Sequence, residues 1–364
     1  MAGSSIGTIF KISTWGESHG KALGVVVDGC PSGLELCEED IQIFLDRRKP
    51  GQSKFTTKRS EGDKVEILSG VFEGKTTGTP ISLIVRNESQ ISKDYSNIAQ
   101  VYRPGHADFT FDAKYGFRDY RGGGRSSGRE TIGRVCAGAI ASKILKQMGI
   151  EILAYTKSIG DIEIETFAKE EINNNKLYMP DAKAADKASK YLEELMNNGN
   201  SSGGTVECVI SGVPAGVGDP VFEKLDANLA KGIMSVGAVK AVEIGAGVNA
   251  SKMTGVDSND GFVNEDGKIK KTRNNAGGIL GGISDGSDII IKASFKPTPS
   301  IYSKQSTVNK NGENIDIEIA GRHDPIIVPR AVVVVECMAA ITILDAMFVN
   351  MSSKLDNIVD FYAE

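Results

Sequence analysis

Residues 331–349, AVVVVECMAAITILDAMFV, make an apolar run that water disfavours on every side. The run is nearly long enough to cross a bilayer. Glu336 and Asp345 interrupt it, however, and a lone span so near the C-terminus fits the chain's ordinary soluble composition poorly. The segment is expected to be a helix, or a strand leading into a helix, buried in a core or a subunit interface and not in a membrane.

Strand-like runs of β-branched residues recur along the rest of the chain: Val25–Val27, Val65–Leu68, Ile81–Val85, Ile150–Tyr155, Val206–Ile210, Ile289–Ala293 and Ile315–Ile319. Helical patterns are interspersed. Glu38–Arg48 has acidic residues in its first turn and Ile41, Phe44 and Leu45 on one face. Arg129–Met148 is the strongest helix. Ser127 and Glu130 form a capping-box pattern before it, Gly149 follows it, and Ile132, Val135, Cys136, Ala139, Ile140 and Ile144 give it an apolar stripe. Asp181–Asn198 reads as a second capped helix ending at Gly199. Two stretches, Asn87–Gln100 and Ser251–Asn275, lack periodicity and are expected to be long connections, functional lids or disordered. No repeat, low-complexity linker or sharp composition break divides the chain, so one α+β domain over residues 1–364 is expected.

The net charge of −5 and a pI near 5.5 give no global attraction for nucleic acid or an acidic membrane, so an anionic ligand must be held by local positive charge. The five cysteines, Cys30, Cys37, Cys136, Cys208 and Cys337, show no metal-binding or CxxC spacing. That points to reduced thiols, no metal and a cytoplasmic protein. The N-terminus, MAGSSIGTIFKIS, lacks a basic segment followed by an apolar one, so no export signal is expected.

Two counts locate the chemistry. The chain has only three histidines, His19, His106 and His323, each in a polar, glycine-containing segment: TWGESHGKA, VYRPGHADF and AGRHDPI. Lysine outnumbers arginine 29 to 13, yet six arginines fall between Arg103 and Arg134, and Arg47, Arg48, Arg322 and Arg330 add four more. The guanidinium fork matches phosphate and carboxylate, whereas lysine is a point charge. Surface ion pairing would more naturally draw on the abundant lysines, so the cluster is expected to be a preformed polyanion site, its like charges repelling one another when empty. In RDYRGGGRSSGRETIGR, Gly122–Gly124 allow close backbone approach, and Arg125, Ser126 and Ser127 supply donors ahead of a helix N-terminus. The motif alone indicates phosphate or another anion. VEIGAGVNA, residues 242–250, imitates a dinucleotide fingerprint, but a polar loop follows it, and its glycines read as a turn. GGILGGISDG shows only that backbone passes close to something, which includes another loop.

WGESHG (Trp15–Gly20), RPGHADFTFDAKYGFRDYRGGGRSSGRET (Arg103–Thr131) and GRHDPIIVPRAVVVVE (Gly321–Glu336) resemble the three signature regions of the chorismate synthases. LDRRKPGQS, LSGVFEGKTTGTP, VPAGVGDPVFEKLDA, NNAGGILGGISDG and KPTPSI extend the resemblance over nearly the whole chain, in the expected order. It implies a β-α-β sandwich of antiparallel sheets enclosing central helices, assembled as a homotetramer. It also implies the conversion of 5-enolpyruvylshikimate 3-phosphate to chorismate and phosphate, an anti-1,4-elimination that uses reduced FMN without net redox change.

By position, the resemblance assigns FMN contacts to Arg125, Ser126, Ser127, Gly237, Ala238, Gly281, Lys296, Pro297, Thr298, Pro299, Ser300 and Arg322. Arg48 and Lys54 match positions that contact pyridine nucleotide or another anion, which leaves NADPH open as the reductant and the substrate open as the ligand. Arg129 and Arg134 are expected substrate anchors with Arg48. Two departures stand out: Gly237 replaces an asparagine that relatives can carry, and Lys54 replaces an arginine, keeping charge but losing the fork. No ordinary side-chain base removes a non-acidic ring hydrogen unaided, so reduced flavin is implied to lend and recover electron density. His19 is expected to neutralise the leaving phosphate, because a nearby anion favours the protonated imidazole. His106 is expected to tune the flavin's protonation, and Asp324 to accept a proton beside His323. A flavin oxidoreductase would use the same residues but consume reductant in step with product. An RNA-binding module is disfavoured by acidity and sparse aromatics.

Overall fold

The computed structural model describes residues 3–52, 55, 62–87, 99–319 and 324–363. Among them, two five-stranded antiparallel sheets flank a layer of helices. The first sheet contains β1 (Ser5–Ile6), β2 (Lys11–Gly16), β3 (Ala22–Asp28), β4 (Val65–Ile67) and β7 (Ile81–Arg86) in the order β1-β2-β3-β7-β4, with a hairpin of β5 (Val71–Phe72) and β6 (Lys75–Thr76) between β4 and β7. The second contains β8 (Glu151–Ile159), β9 (Ile162–Glu163), β10 (Gly204–Ser211), β11 (Val239–Ile244) and β16 (Ile289–Phe295) in the order β11-β16-β10-β8-β9. Further hairpins pair β12 (Phe262–Glu265) with β13 (Lys268–Lys271), β14 (Ile279–Leu280) with β15 (Ile283–Ser284), and β17 (Gln305–Val308) with β18 (Asn314–Ile317).

The central layer holds α1 (Glu38–Arg48), α3 (Thr131–Gln147), α6 (Leu225–Met234) and α8 (Val328–Asn350). Other helices among the described residues are α2 (Asp108–Tyr115), α4 (Glu171–Asn174), α5 (Ala182–Asn197), α7 (Gly255–Ser258) and α9 (Leu355–Tyr362). Alternation in β3 turns Leu23, Val25 and Val27 toward α3, while Val206, Cys208 and Ile210 of β10 face α8. Side chains from both sheets and all four layer helices join in one apolar cluster.

The apolar run is therefore a core helix, apolar all round because a sheet and helices cover it. Its two charges are satisfied. Glu336 takes both Arg47 nitrogens, NH1 and NH2, at 2.8 Å, and Asp345 accepts the backbone N–H groups of Thr8, Ile9 and Phe10 at 2.7–3.0 Å.

Local differences from the sequence reading have physical causes. Ser127 accepts from Arg129 N, but Glu130 does not complete a capping box. Its carboxylate takes Thr14 Oγ1 and Arg134 Nε, each at 2.8 Å, and one 3-10 turn over Gly128–Glu130 precedes α3. The stretch Ser251–Asn275 is not featureless, because Asp266 and Gly267, at φ 52° and 80°, turn β12 into β13. Of the stretch Asn87–Gln100, residues 88–98 lie outside the described residues. The dinucleotide-like glycines do make a turn, with Gly245 packed on the backbone at Asn275–Gly277. GGILGGISDG carries the β14–β15 hairpin, and its glycines pack on neighbouring turns: Gly277 abuts Gly245, and Gly282 abuts Asp219 and Lys224.

Candidate active site

The loop joining β2 to β3 carries His19, which is buried at 5% exposure. Ser18 Oγ and His19 Nδ1 share a 3.1 Å hydrogen bond. Gly122, at φ 69°, packs closely on the ring: a Cβ there would come 2.2 Å from His19 Cε1. Asp119, paired with Arg121 at 2.8 Å, stands within electrostatic reach of His19, and its carboxyl is held below the usual range first by Arg121 and further by His19.

A chain of hydrogen bonds and ion pairs leads away from this loop. Asn87 Nδ2 donates to Glu17 O at 3.1 Å and Gly20 O at 2.8 Å, and its Oδ1 accepts Arg129 NH2 at 2.8 Å. Asp63 pairs with Arg129 NH1 at 2.9 Å and with Arg48 NH2 at 3.0 Å. Arg330 donates through Nε to Arg48 O at 3.0 Å and through NH1 to Asp324. Burial pushes the Arg48 pKa down, with Asp63 opposing it. The structure thus brings Arg48, Arg129 and Asp324 together with His19's loop, and fixes Asp324 against an arginine.

The other arginines correct the picture of an open, self-repelling cluster. Arg125 is spent on β2, donating to Gly16 O, Thr14 O and Thr14 Oγ1 at 2.7–3.2 Å. Arg134 binds Glu130 and the Ser235 turn ahead of Gly237. Arg103 and Arg118 clamp Asp108 at 2.8 and 2.9 Å. Fixed geometry favours arginine over lysine for these buried pairs too, so abundance alone did not separate the two uses.

Asp108 also yields a pH prediction. Burial pushes its carboxyl up, but hydrogen bonds and charge from Arg103 outweigh that and hold it at about 2, below the ordinary 3.8. A depressed pKa contributes stability above the ordinary value that is lost as pH falls toward the folded one. Asp108→Asn should therefore be less stable than the parent by a constant amount above about pH 5, with the gap closing between about pH 4 and pH 2. Urea unfolding across that range checks it, and a gap independent of pH would refute the assignment.

A second group forms around His106. Its Nε2 is 2.8 Å from Ser300 Oγ, Lys296 Nζ donates to Gly105 O at 2.8 Å, and Gly105 (φ 71°) packs against Pro299. Lys296 N donates to Ala238 O at 3.0 Å, and Ser201 Oγ to Thr298 O at 2.7 Å. Residues Lys296–Ser300, Ala238 and His106 are thus neighbours. Thr298 Oγ1 is buried without a hydrogen-bond partner among the described residues. Added Cβ atoms on Gly237 or Gly281 would meet nothing within 4 Å among the described residues. Ser126 Oγ donates to Gly123 O at 2.8 Å. Lys54, Arg322 and His323 lie outside the described residues. Asp63, Asn87, Ser18 and Asp119 were missed by sequence reasoning. Ser18, beside a histidine in a glycine-bounded loop, carried the one local signal.

The family profile described as chorismate synthase matches residues 10–348. The chain belongs to the chorismate synthase family. It is 68% identical over 364 residues to the chorismate synthase of Agathobacter rectalis, covering 100% of this chain and 99% of that one. Identity is 64% over 365 residues with that of Lachnoclostridium phytofermentans, covering 100% of each, and 54% over 352 residues with that of Methanocella arvoryzae, covering 95% of each. A crystal structure of chorismate synthase superposes with a TM-score of 0.76 at 30% identity, over 98% of this chain and 97% of the other. The chain is accordingly an enzyme with that family's α+β fold, and its layered antiparallel sheets meet the architecture expected from the signature segments.

Proposed function

We propose that this enzyme eliminates phosphate from 5-enolpyruvylshikimate 3-phosphate to form chorismate, with reduced FMN as a cofactor that is not consumed. The observation that carries this reading is the junction of His19's loop with the Asn87–Arg129–Asp63–Arg48 chain, in which Asn87 ties the loop's backbone to the forked cations. In the elimination phosphate departs with the electron pair of its carbon–oxygen bond, the pair of a ring carbon–hydrogen bond ends in the new double bond, and the hydrogen leaves as a proton that Asp324 would accept. Arg48 and Arg129 bind the substrate's anionic groups, and His19 in its protonated form neutralises the departing phosphate.

The residues around His106 suit a flavin. The buried Thr298 hydroxyl offers an unused hydrogen-bonding group, and Gly237 and Gly281 leave open space. Lys296–Ser300, Ala238, Gly237 and Gly281, with Ser126 and Ser127, would hold it, and His106, fixed by Ser300, would hold a proton near it. When bound, reduced FMN supplies electron density as phosphate leaves and recovers it afterwards. Arg125 holds β2 and the glycine turn through NH1 and NH2, and its Nε is the donor it would turn to the flavin. The single apolar cluster supports one domain over residues 1–364. Homotetramer assembly, a cytoplasmic location, NADPH as reductant, and the absence of nucleic-acid and membrane partners complete the reading.

Anaerobic incubation with reduced FMN and substrate should release phosphate and chorismate in equal amounts, over many turnovers per flavin, with the flavin spectrum still reduced at the end. Full activity without flavin would overturn the reading. One flavin oxidised per product would replace it with an oxidoreductase.

A further inference from the structure

The carboxylate of Glu130 lies between two segments that the flavin site draws on, the glycine turn before α3 and the turn after α6. Its side chain is 10% exposed, and each oxygen serves a different segment. Oε1 accepts Thr14 Oγ1 at 2.8 Å. Thr14 Oγ1 in turn accepts Arg125 NH2 at 2.7 Å, and the same NH2 stands 3.6 Å from Oε1. Arg125 is the middle residue of the 3-10 turn Gly124–Ser126, so this oxygen is tied to the glycine loop. Oε2 accepts Arg134 Nε at 2.8 Å. Arg134 reaches across 101 positions to Ser235, donating through NH1 to its Oγ and through NH2 to its carbonyl at 3.3 Å. Ser235 ends α6, where a helix leaves carbonyls without intrahelical donors, and an arginine there serves as a cap. Ala238 follows at φ 72°, in the left-handed region that costs a residue with a side chain about 1–2 kcal/mol. Such a conformation persists where the surroundings hold it.

We propose that Glu130 is a positioning residue for the flavin: by holding Arg125 with one oxygen and Arg134 with the other, it fixes the spacing between Gly123–Ser127 and Ser235–Ala238. This rests on the reading of both segments as flavin contacts. A ligand that touches two segments at once binds best when they are already in place, because ordering loose groups draws on binding energy. An ordinary i,i+4 ion pair supports its own helix and no more. Here the arginine of the pair ends on a different helix, and the second carboxylate oxygen ends on β2 and the glycine loop. Neither arm is released cheaply, since a buried carboxylate oxygen without a partner has lost its solvation.

Glu130→Gln keeps the shape, removes the charge and turns an NH2 toward Thr14 or Arg134. Oxidised FMN is titrated against the full chain well below the Tm of each variant, and Tm is measured separately. The FMN Kd should rise by about ten- to a hundredfold, the scale of an ångström-sized misplacement. A pair that only supported the fold would lower Tm and leave the affinity of the folded chain as it was. A Kd within about threefold of the parent therefore overturns the proposal, whatever happens to Tm. Adding Arg134→Met to Glu130→Gln should raise Kd by less than about threefold more, because Arg134 acts through Glu130. A further rise of about tenfold means that the two act separately, and overturns the proposal as well. If Glu130→Gln does not fold, Thr14→Val and Arg134→Met each cut one arm, and parental FMN affinity in both overturns it. Gly237→Phe separates the two levels, because its ring would enter the open space beside Ala238. Parental FMN affinity there removes the flavin reading of the Ser235–Ala238 turn itself, whereas weakening there with none in Glu130→Gln removes only the positioning role.

Discussion

Gly122→Ala is expected to lower turnover by about two to four orders of magnitude, as much as removing the His19 imidazole, while the chain stays folded. The added methyl would sit 2.2 Å from His19 Cε1 and 2.4 Å from Nδ1, so the ring cannot stay where it is. His19 has little room, being buried and tied to Ser18, and the new side chain must also adopt φ 69°. That backbone strain costs about 1–2 kcal/mol, a small part of a domain's stability, and Gly122 lies in a loop outside the apolar cluster. The loss therefore falls on chemistry. Turnover and melting are to be measured for Gly122→Ala, His19→Ala and the double variant. Because both changes disable one imidazole, the double variant should be no worse than His19→Ala by more than about threefold. Near-parental turnover in Gly122→Ala would show that His19 is free to move or does not act.

Much of the fold was legible because local chemistry and tertiary packing agree. The bounds Glu38–Arg48 follow from acidic residues at one end, arginines at the other and an apolar face, and α1 occupies those residues. Asp181 caps α5 through Lys183 N and Ala184 N, and Gly199 ends that helical segment in a left-handed turn at φ 63°. Prediction failed where a residue had two possible employers. Glu130 stood at the right spacing to cap, but Arg134 and Thr14 offered its carboxylate more. The Asp-Gly turn between β12 and β13 was hidden by polar flanks without strand alternation.

The candidate site was legible at the level of segments and less so at the level of roles. Scarce histidines and glycine-rich turns marked the right loops, and His19 and His106 each have a named hydroxyl partner, Ser18 and Ser300. The arginine count misled about charge, because it left out the carboxylates: Asp108, Asp119 and Glu130 pair with Arg103, Arg118, Arg121 and Arg134 close by in sequence, and other partners lie far off. Asp63 is 66 positions from Arg129, and Glu336 is 289 from Arg47. A side chain's partner across that distance is set by topology, which no spacing rule reports.

Topology also sets the most damaging single substitution expected in the core. Gly138→Ala should destabilise the protein by about 3 kcal/mol or more, at or beyond the upper end for overpacking. Helix propensity argues the other way, since alanine is favoured over glycine by about 1 kcal/mol inside a helix. Packing decides the sign. A Cβ on Gly138 would lie 2.2 Å from Cys337 Cβ and 2.6 Å from its Cα, so α3 and α8 must separate. They cannot do so cheaply, because β2 and β3 cover α3 on one side while β8 and β10 cover α8 on the other. Both helices also begin at the arginine group: Arg129 lies just before α3, and Arg330 lies in the first turn of α8. Their closest approach comes about two turns farther in, so forcing them apart there spreads the Arg48–Asp63–Arg129 and Arg330–Asp324 pairs as well. Urea unfolding of Gly138→Ala is compared with Gly255→Ala, where a Cβ meets nothing within 4 Å. Gly255→Ala should remain within about 0.5 kcal/mol of the parent, as surface changes do. If Gly138→Ala is as stable as the parent, α3 and α8 have room for a methyl group between Gly138 and Cys337, and the crossing does not set the spacing of the arginines that flank the site.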